Sequence, residues 1–157
     1  MRALIRREVP LGVPAGVAWR YVTDWPSQSD WVPHTRVEHA DPAAPAVGLG
    51  GRIKAWSGLG RIGFWDTMTI TGWETRADGG GRCEVLHTGS VVRGEGVFEV
   101  VAATPATSTF LWSEMVPVPG GRLGALVYRL VGPLVERLLD QGLTELKRRL
   151  EHGTVDN

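Results

Sequence analysis

The chain has 157 residues, 43% of them apolar and 22% charged, enough for one folded domain with a real core. Seventeen Lys and Arg balance seventeen Asp and Glu, so net charge gives no case for nucleic acid or an anionic membrane as a partner. A single cysteine, Cys83, excludes an internal disulfide and fits a reducing compartment.

The N-terminal Met1-Arg-Ala-Leu-Ile-Arg-Arg-Glu lacks the apolar core of a signal peptide. No stretch approaches the roughly 18 to 20 apolar residues of a membrane span. A cytoplasmic protein without stable membrane insertion is expected. Arg2 to Val9 reads as a strand stopped by Pro10 and Gly12. Pro14 suits the first turn of a short helix reaching about Asp24, and Pro26 opens a second through about Trp31, ended by Pro33. His34 to Ala40 can form a strand, residues 41 to 51 read as a loop, and Arg52 to Trp56 as a short strand.

Four strands are predicted next, at Phe64–Glu74, Arg82–Val92, Glu95–Ala103 and Thr109–Val116, separated by short turn-like segments that make an antiparallel meander. After Pro117 the pattern turns helical. Leu123, Leu126, Val127, Leu130, Leu134, Leu138, Leu139, Leu143, Leu146 and Leu150 form one stripe, and Pro133 should kink the helix. The fold class is α+β. A curved antiparallel sheet of about seven strands wraps a long C-terminal helix, with two short helices after the first strand. Packing a straight helix on a curved sheet leaves space between them, a site suited to a small ligand. Residues 1–153 form the domain and 154–157 a tail.

Strand alternation divides the meander into two faces. Phe64, Asp66, Met68 and Ile70 share the more apolar face with Val85, His87, Gly89 and Val91, then Gly96, Phe98 and Val100, then Phe110, Trp112 and Glu114. Trp65, Thr67, Thr69, Thr71 and Trp73 belong to the opposite face. Three ionisable groups on an apolar face have no place in a solid core, and so that face is expected to line a cavity. Strand spacing puts the Asp66 and Glu114 backbones roughly 14 Å apart in a flat sheet, too far for a proton-sharing dyad. His87 lies deeper, so the three read as separate polar points rather than a compact triad.

The ligand-lining set is Phe64, Asp66, Met68, His87, Phe98, Phe110, Trp112, Glu114, Leu130 and Leu134, and the catalytic candidates are His87, Asp66 and Glu114. The bland alternative is that each polar group satisfies the backbone or reaches water at a strand end, and that most of the seven Trp are core. His34, His39 and His152 lack metal-ligand spacing, so no metal or cofactor is expected. The glycine-rich segments Gly48-Leu-Gly-Gly51 and Gly58-Leu-Gly60 lack the features of a phosphate loop.

Val17-Ala-Trp-Arg-Tyr-Val-Thr-Asp-Trp25 followed by Trp31-Val-Pro33 resembles the first helices of the polyketide cyclase/dehydrase branch of the START-like (SRPBCC, Bet v 1-like) superfamily. His87-Thr-Gly-Ser-Val-Val-Arg-Gly94, Phe110-Leu-Trp-Ser-Glu114 and the long terminal helix extend the resemblance over nearly the whole chain. The resemblance implies a helix-grip fold with a deep hydrophobic cavity. Two functions follow as expectations. One is binding of a hydrophobic small molecule, lipid or polyketide-like, as carrier or sensor. The other is a cyclase or aromatase using His87 as acid/base with Asp66 or Glu114. The partner is then the ligand itself, without nucleic acid, and the protein a monomer or homodimer.

Overall fold

A computed structural model describes residues 2–117 and 121–153, without the side chains of Val116 and Leu123. The expected tail at 154–157, and part of the segment between the last strand and the long helix, lie outside the described residues.

The seven strands are β1 (Arg2–Leu11), β2 (Thr35–His39), β3 (Arg52–Leu59), β4 (Ile62–Thr75), β5 (Gly81–His87), β6 (Gly94–Thr104) and β7 (Thr107–Pro117). They form one antiparallel sheet in the order β1-β7-β6-β5-β4-β3-β2. The helices are α1 (Ala15–Val22), a 3₁₀ turn at Trp25–Ser27 running into α2 (Gln28–Trp31), and α3 (Gly121–His152). This is the expected helix-grip layout. Pro133 lies inside α3, which continues through it.

The apolar face named from the alternation is the buried one. Met68, Ile70, Val85, Phe98, Val100 and Phe110 are all buried. Trp25 and Trp31, from the short helical segments, pack onto the middle of this face. Trp25 lies 6.0 Å from Phe98, and Trp31 stands edge-on to Phe110 at 6.1 Å and Trp112 at 5.9 Å between ring centroids. This interior is therefore filled by aromatic rings, whose edge-to-face contacts add to the area they bury.

Two strand expectations are corrected. A bulge at Thr71 shifts the register between Ile70 and Gly72, so Trp73 pairs with Cys83 and turns to the inner face. There it packs on Trp19, with centroids 5.1 Å apart. One extra residue inverts the alternation beyond it. Strand β5 also stops at His87 instead of reaching Val92, and an irregular loop of residues 88–93 carries Val91 out to solvent.

Helix α3 is held by its second half. Leu143, Leu146 and Leu150 are buried, Gly142 lies against the Trp31 carbonyl, and Lys147 and Glu151 bind the Pro10 carbonyl and the Gly12 amide. At its middle, Arg7 reaches from β1 to Glu136 at 2.7 Å and Asp140 at 2.9 Å. Its first half leaves Leu126, Val127, Leu130, Val131, Leu134 and Val135 exposed.

Candidate functional site

Asp66, His87 and Glu114 come from three different strands, and the structure brings all three into one hydrogen-bonded chain. His87 Nδ1 lies 2.7 Å from Asp66 Oδ2, and His87 Nε2 lies 2.9 Å from Glu114 Oε2. Glu114 Oε1 accepts in turn from Trp112 Nε1–H at 2.7 Å. Asp66 and His87 are buried, and only 13% of the Glu114 side chain is exposed. The reading of three separate polar points is thus overturned, as is that of strand-end groups escaping to water.

The physical reason is that backbone spacing misjudges side-chain reach where glycines intervene. In the register, Glu114 is opposite Gly96 and Gly96 opposite Val85, two residues before His87. Gly96 offers no side chain, so Glu114 leans across β6 to the imidazole. A Cβ at Gly96 would lie 2.8 Å from Glu114 Oε2 and 3.0 Å from Val85 Cγ2. On the other side, Gly89 follows the end of β5 and lies over Asp66. A Cβ there would sit 3.0 Å from Oδ1. An isolated glycine in a strand pattern often marks such a close approach, and in Glu95-Gly-Val-Phe98 that was the available signal.

The electrostatics follow from the contacts. Burial by itself would lower the His87 pKa, but the hydrogen bonds to Asp66 and Glu114 and their negative charge outweigh it. The result is a pKa raised from 6.5 to about 10. At neutral pH His87 is then an imidazolium donating from both ring nitrogens. Both nitrogens are engaged, so His87 has neither a free lone pair nor a spare N–H for a ligand.

Two polar atoms nearby are buried without a partner among the described residues, namely Asp66 Oδ1 and Trp31 Nε1. The first is an acceptor at one end of the chain. The second is a donor on the ring that packs edge-on to Trp112. Buried polar groups are normally paired, so these two are the unsatisfied polar atoms of the site among the described residues. Sequence reading missed Trp31 as a site residue.

The other expected lining residues are scattered. Met68 is buried and pairs across the sheet with His87. Phe98 and Phe110 are sealed in the aromatic layer, and Trp112 is half-buried at its edge. Phe64 is partly exposed at the end of β4, and Leu130 and Leu134 stand exposed on α3. A pocket of about 490 Å³ opens elsewhere, at Tyr21, Arg149 and Leu150. Cys83 is buried and its thiol is pushed up to about 12, chiefly by burial, which makes it unreactive. Among the described residues no cluster of His, Cys, Asp and Glu could hold a metal ion.

The sequence matches no family model and no curated protein sequence. Solved structures do match. The di-domain ARO/CYC BexL of the BE-7585A biosynthetic pathway superposes with a TM-score of 0.68 at 19% identity, over 98% of this chain and 48% of that one. This chain thus spans about half the length of BexL. The Zhui aromatase/cyclase from Streptomyces sp. R1128 gives 0.69 at 16% identity, over 95% and 96% of the two chains. A START superfamily protein from Mycobacterium smegmatis gives 0.67 at 14% identity, over 95% and 97%. At such low identity the likeness speaks to architecture alone, and that architecture is the START-like helix-grip fold.

Proposed function

We propose that the protein binds a hydrophobic small molecule, as a carrier or sensor, between the inner face of the sheet and the first half of α3. The observation that carries this is Asp66 Oδ1, a buried carboxylate oxygen without a partner among the described residues, beside a chain that is otherwise saturated. A ligand hydroxyl or N–H would complete it, and a ligand carbonyl could accept from Trp31 Nε1–H. The apolar body of such a molecule would lie along Trp112 and the exposed Leu130 and Leu134. This complementarity suits a lipid or polyketide-like compound with one hydroxyl and one carbonyl.

The cyclase reading draws support from the two aromatase/cyclases of the same fold. It needs His87 to release one carboxylate before it can move a proton, since a doubly held imidazolium with a pKa near 10 is a poor base at neutral pH. Its chain is better suited to fixing a polar ligand group. Native mass spectrometry of the freshly purified protein tests the proposal. A co-purified lipophile that remains chemically unchanged on incubation supports the carrier, and one that is converted supports the enzyme. Protein that is ligand-free and takes up no lipophile contradicts both.

A further inference from the structure

The balance of charge over the whole chain conceals a local asymmetry. The turn between β3 and β4, the loop between β5 and β6, and the start of α3 all lie at one end of the antiparallel sheet. Residues 57–63, 88–93 and 121–135 hold four of the seventeen basic residues, Arg61, Arg93, Arg122 and Arg129, and none of the seventeen acids. All four arginines are exposed. The next acid along the chain, Glu95, is exposed at the start of β6, two residues beyond Arg93.

The same segments carry much of the exposed apolar surface. Ile62 is 84% exposed, Leu59 67% and Val91 61%, and Leu130 on α3 reaches 72%. Leu126, Val127, Val131 and Leu134 continue the surface along the helix. Several large apolar side chains exposed at one end of a fold mark a contact site. Among the described residues no helix is long and apolar enough to cross a membrane. An apolar surface in which arginines outnumber acids has the complementarity of an anionic bilayer interface, where apolar side chains enter the headgroup boundary and basic ones meet lipid phosphates.

We propose that this end of the molecule docks reversibly on anionic membrane surfaces through the first half of α3, the β3–β4 turn and the β5–β6 loop. The face of α3 used here includes Leu130 and Leu134, which the proposed ligand would also contact, so docking is to be measured on the protein without added ligand. Docking would place the unanchored half of α3 against lipid while Leu143, Leu146 and Leu150 keep the other half on the sheet.

Vesicle flotation with the full chain tests the proposal, comparing vesicles rich in phosphatidylglycerol with pure phosphatidylcholine. Binding to the anionic vesicles that weakens with salt is expected, with little binding to the zwitterionic ones. Replacing Arg122 and Arg129 together by Gln should weaken it roughly thirtyfold, at roughly fivefold per arginine. Ile62→Asp and Val127→Asp should each weaken it further while leaving the circular dichroism and melting temperature unchanged. Absence of binding to phosphatidylglycerol vesicles overturns the proposal, as does binding indifferent to all these substitutions. A dimer in sedimentation that Val127→Asp dissociates would also overturn it, by assigning the face to a second copy of the chain.

Discussion

His87 and Asp66, on neighbouring strands, share a 2.7 Å hydrogen bond in a buried site, and the opposite ring nitrogen of His87 is held just as firmly by Glu114 at 2.9 Å. The imidazolium is therefore part of the fold as well as of the site. Its pKa of about 10 against 6.5 means that the folded state holds a proton that the unfolded chain releases earlier. The resulting stabilisation is fully present below about pH 6.5 and is lost as pH rises through about 10. Urea unfolding from pH 6.5 to 9.5 should show stability falling by up to about 1.4 kcal/mol per pH unit, one proton's worth. Across the same range the His87 imidazole should keep its protonated ¹⁵N shifts. A flat profile with a His87 titration near 6.5 would contradict the bridged imidazolium.

Removing one carboxylate breaks a buried charged network and leaves the rest unbalanced. Asp66→Asn and Glu114→Gln should each cost about 3 kcal/mol in unfolding free energy at pH 7. Each should also move the His87 titration downwards and flatten the fall in stability above pH 6.5. Denaturant titrations with paired histidine NMR check both effects.

Gly96 is the gap that lets Glu114 cross β6. Gly96→Ala places a methyl group 2.8 Å from Glu114 Oε2 and 3.0 Å from Val85 Cγ2. The carboxylate must withdraw, so the substitution should lower the His87 pKa and destabilise by about 1 to 3 kcal/mol. In a Glu114→Gln background the effect on the His87 titration should largely vanish. That double-mutant comparison separates lost reach from simple crowding.

The two halves of α3 should respond differently to truncation. Leu146 is fully buried, and Leu146→Ala should cost about 3 kcal/mol. Leu130 is exposed, and Leu130→Ala should change stability by less than about 0.5 kcal/mol. The Arg7 ion pairs with Glu136 and Asp140 are partly exposed to water, so Arg7→Gln should cost at most about 1 kcal/mol. Equal losses at Leu130 and Leu146 would show that the helix is packed along its whole length.

Alternation in β4 to β7 is enough to name the buried face, because one side of each strand is the richer in bulky apolar groups and the turns are short. The bulge at Thr71 turns Trp73 to the inner face, and Gly72 beside it is the one sequence signal for such an insertion, which strict alternation overlooks. The Asp66–His87–Glu114 chain was misjudged for a different reason. Register reports backbone spacing, whereas the chain depends on two carboxylates leaning through the spaces left by Gly96 and beside Gly89. The leucine stripe of α3 is continuous in sequence, yet only its second half meets a partner. Periodicity shows which face of a helix is apolar and says nothing of what covers it.

The ligand-binding account rests most directly on Asp66 Oδ1 as a buried acceptor without a partner among the described residues. Calorimetric titration of the wild type and Asp66→Asn with 2-naphthol and 2-methoxynaphthalene tests it, because the two probes differ in whether they can donate a hydrogen bond. A hydrogen bond to a charged group is worth about 1.5 to 3 kcal/mol. The wild type should therefore bind 2-naphthol at least roughly tenfold more tightly than its methyl ether, and Asp66→Asn should lose that preference. No saturable binding of either probe, or a preference that survives Asp66→Asn, would contradict the account.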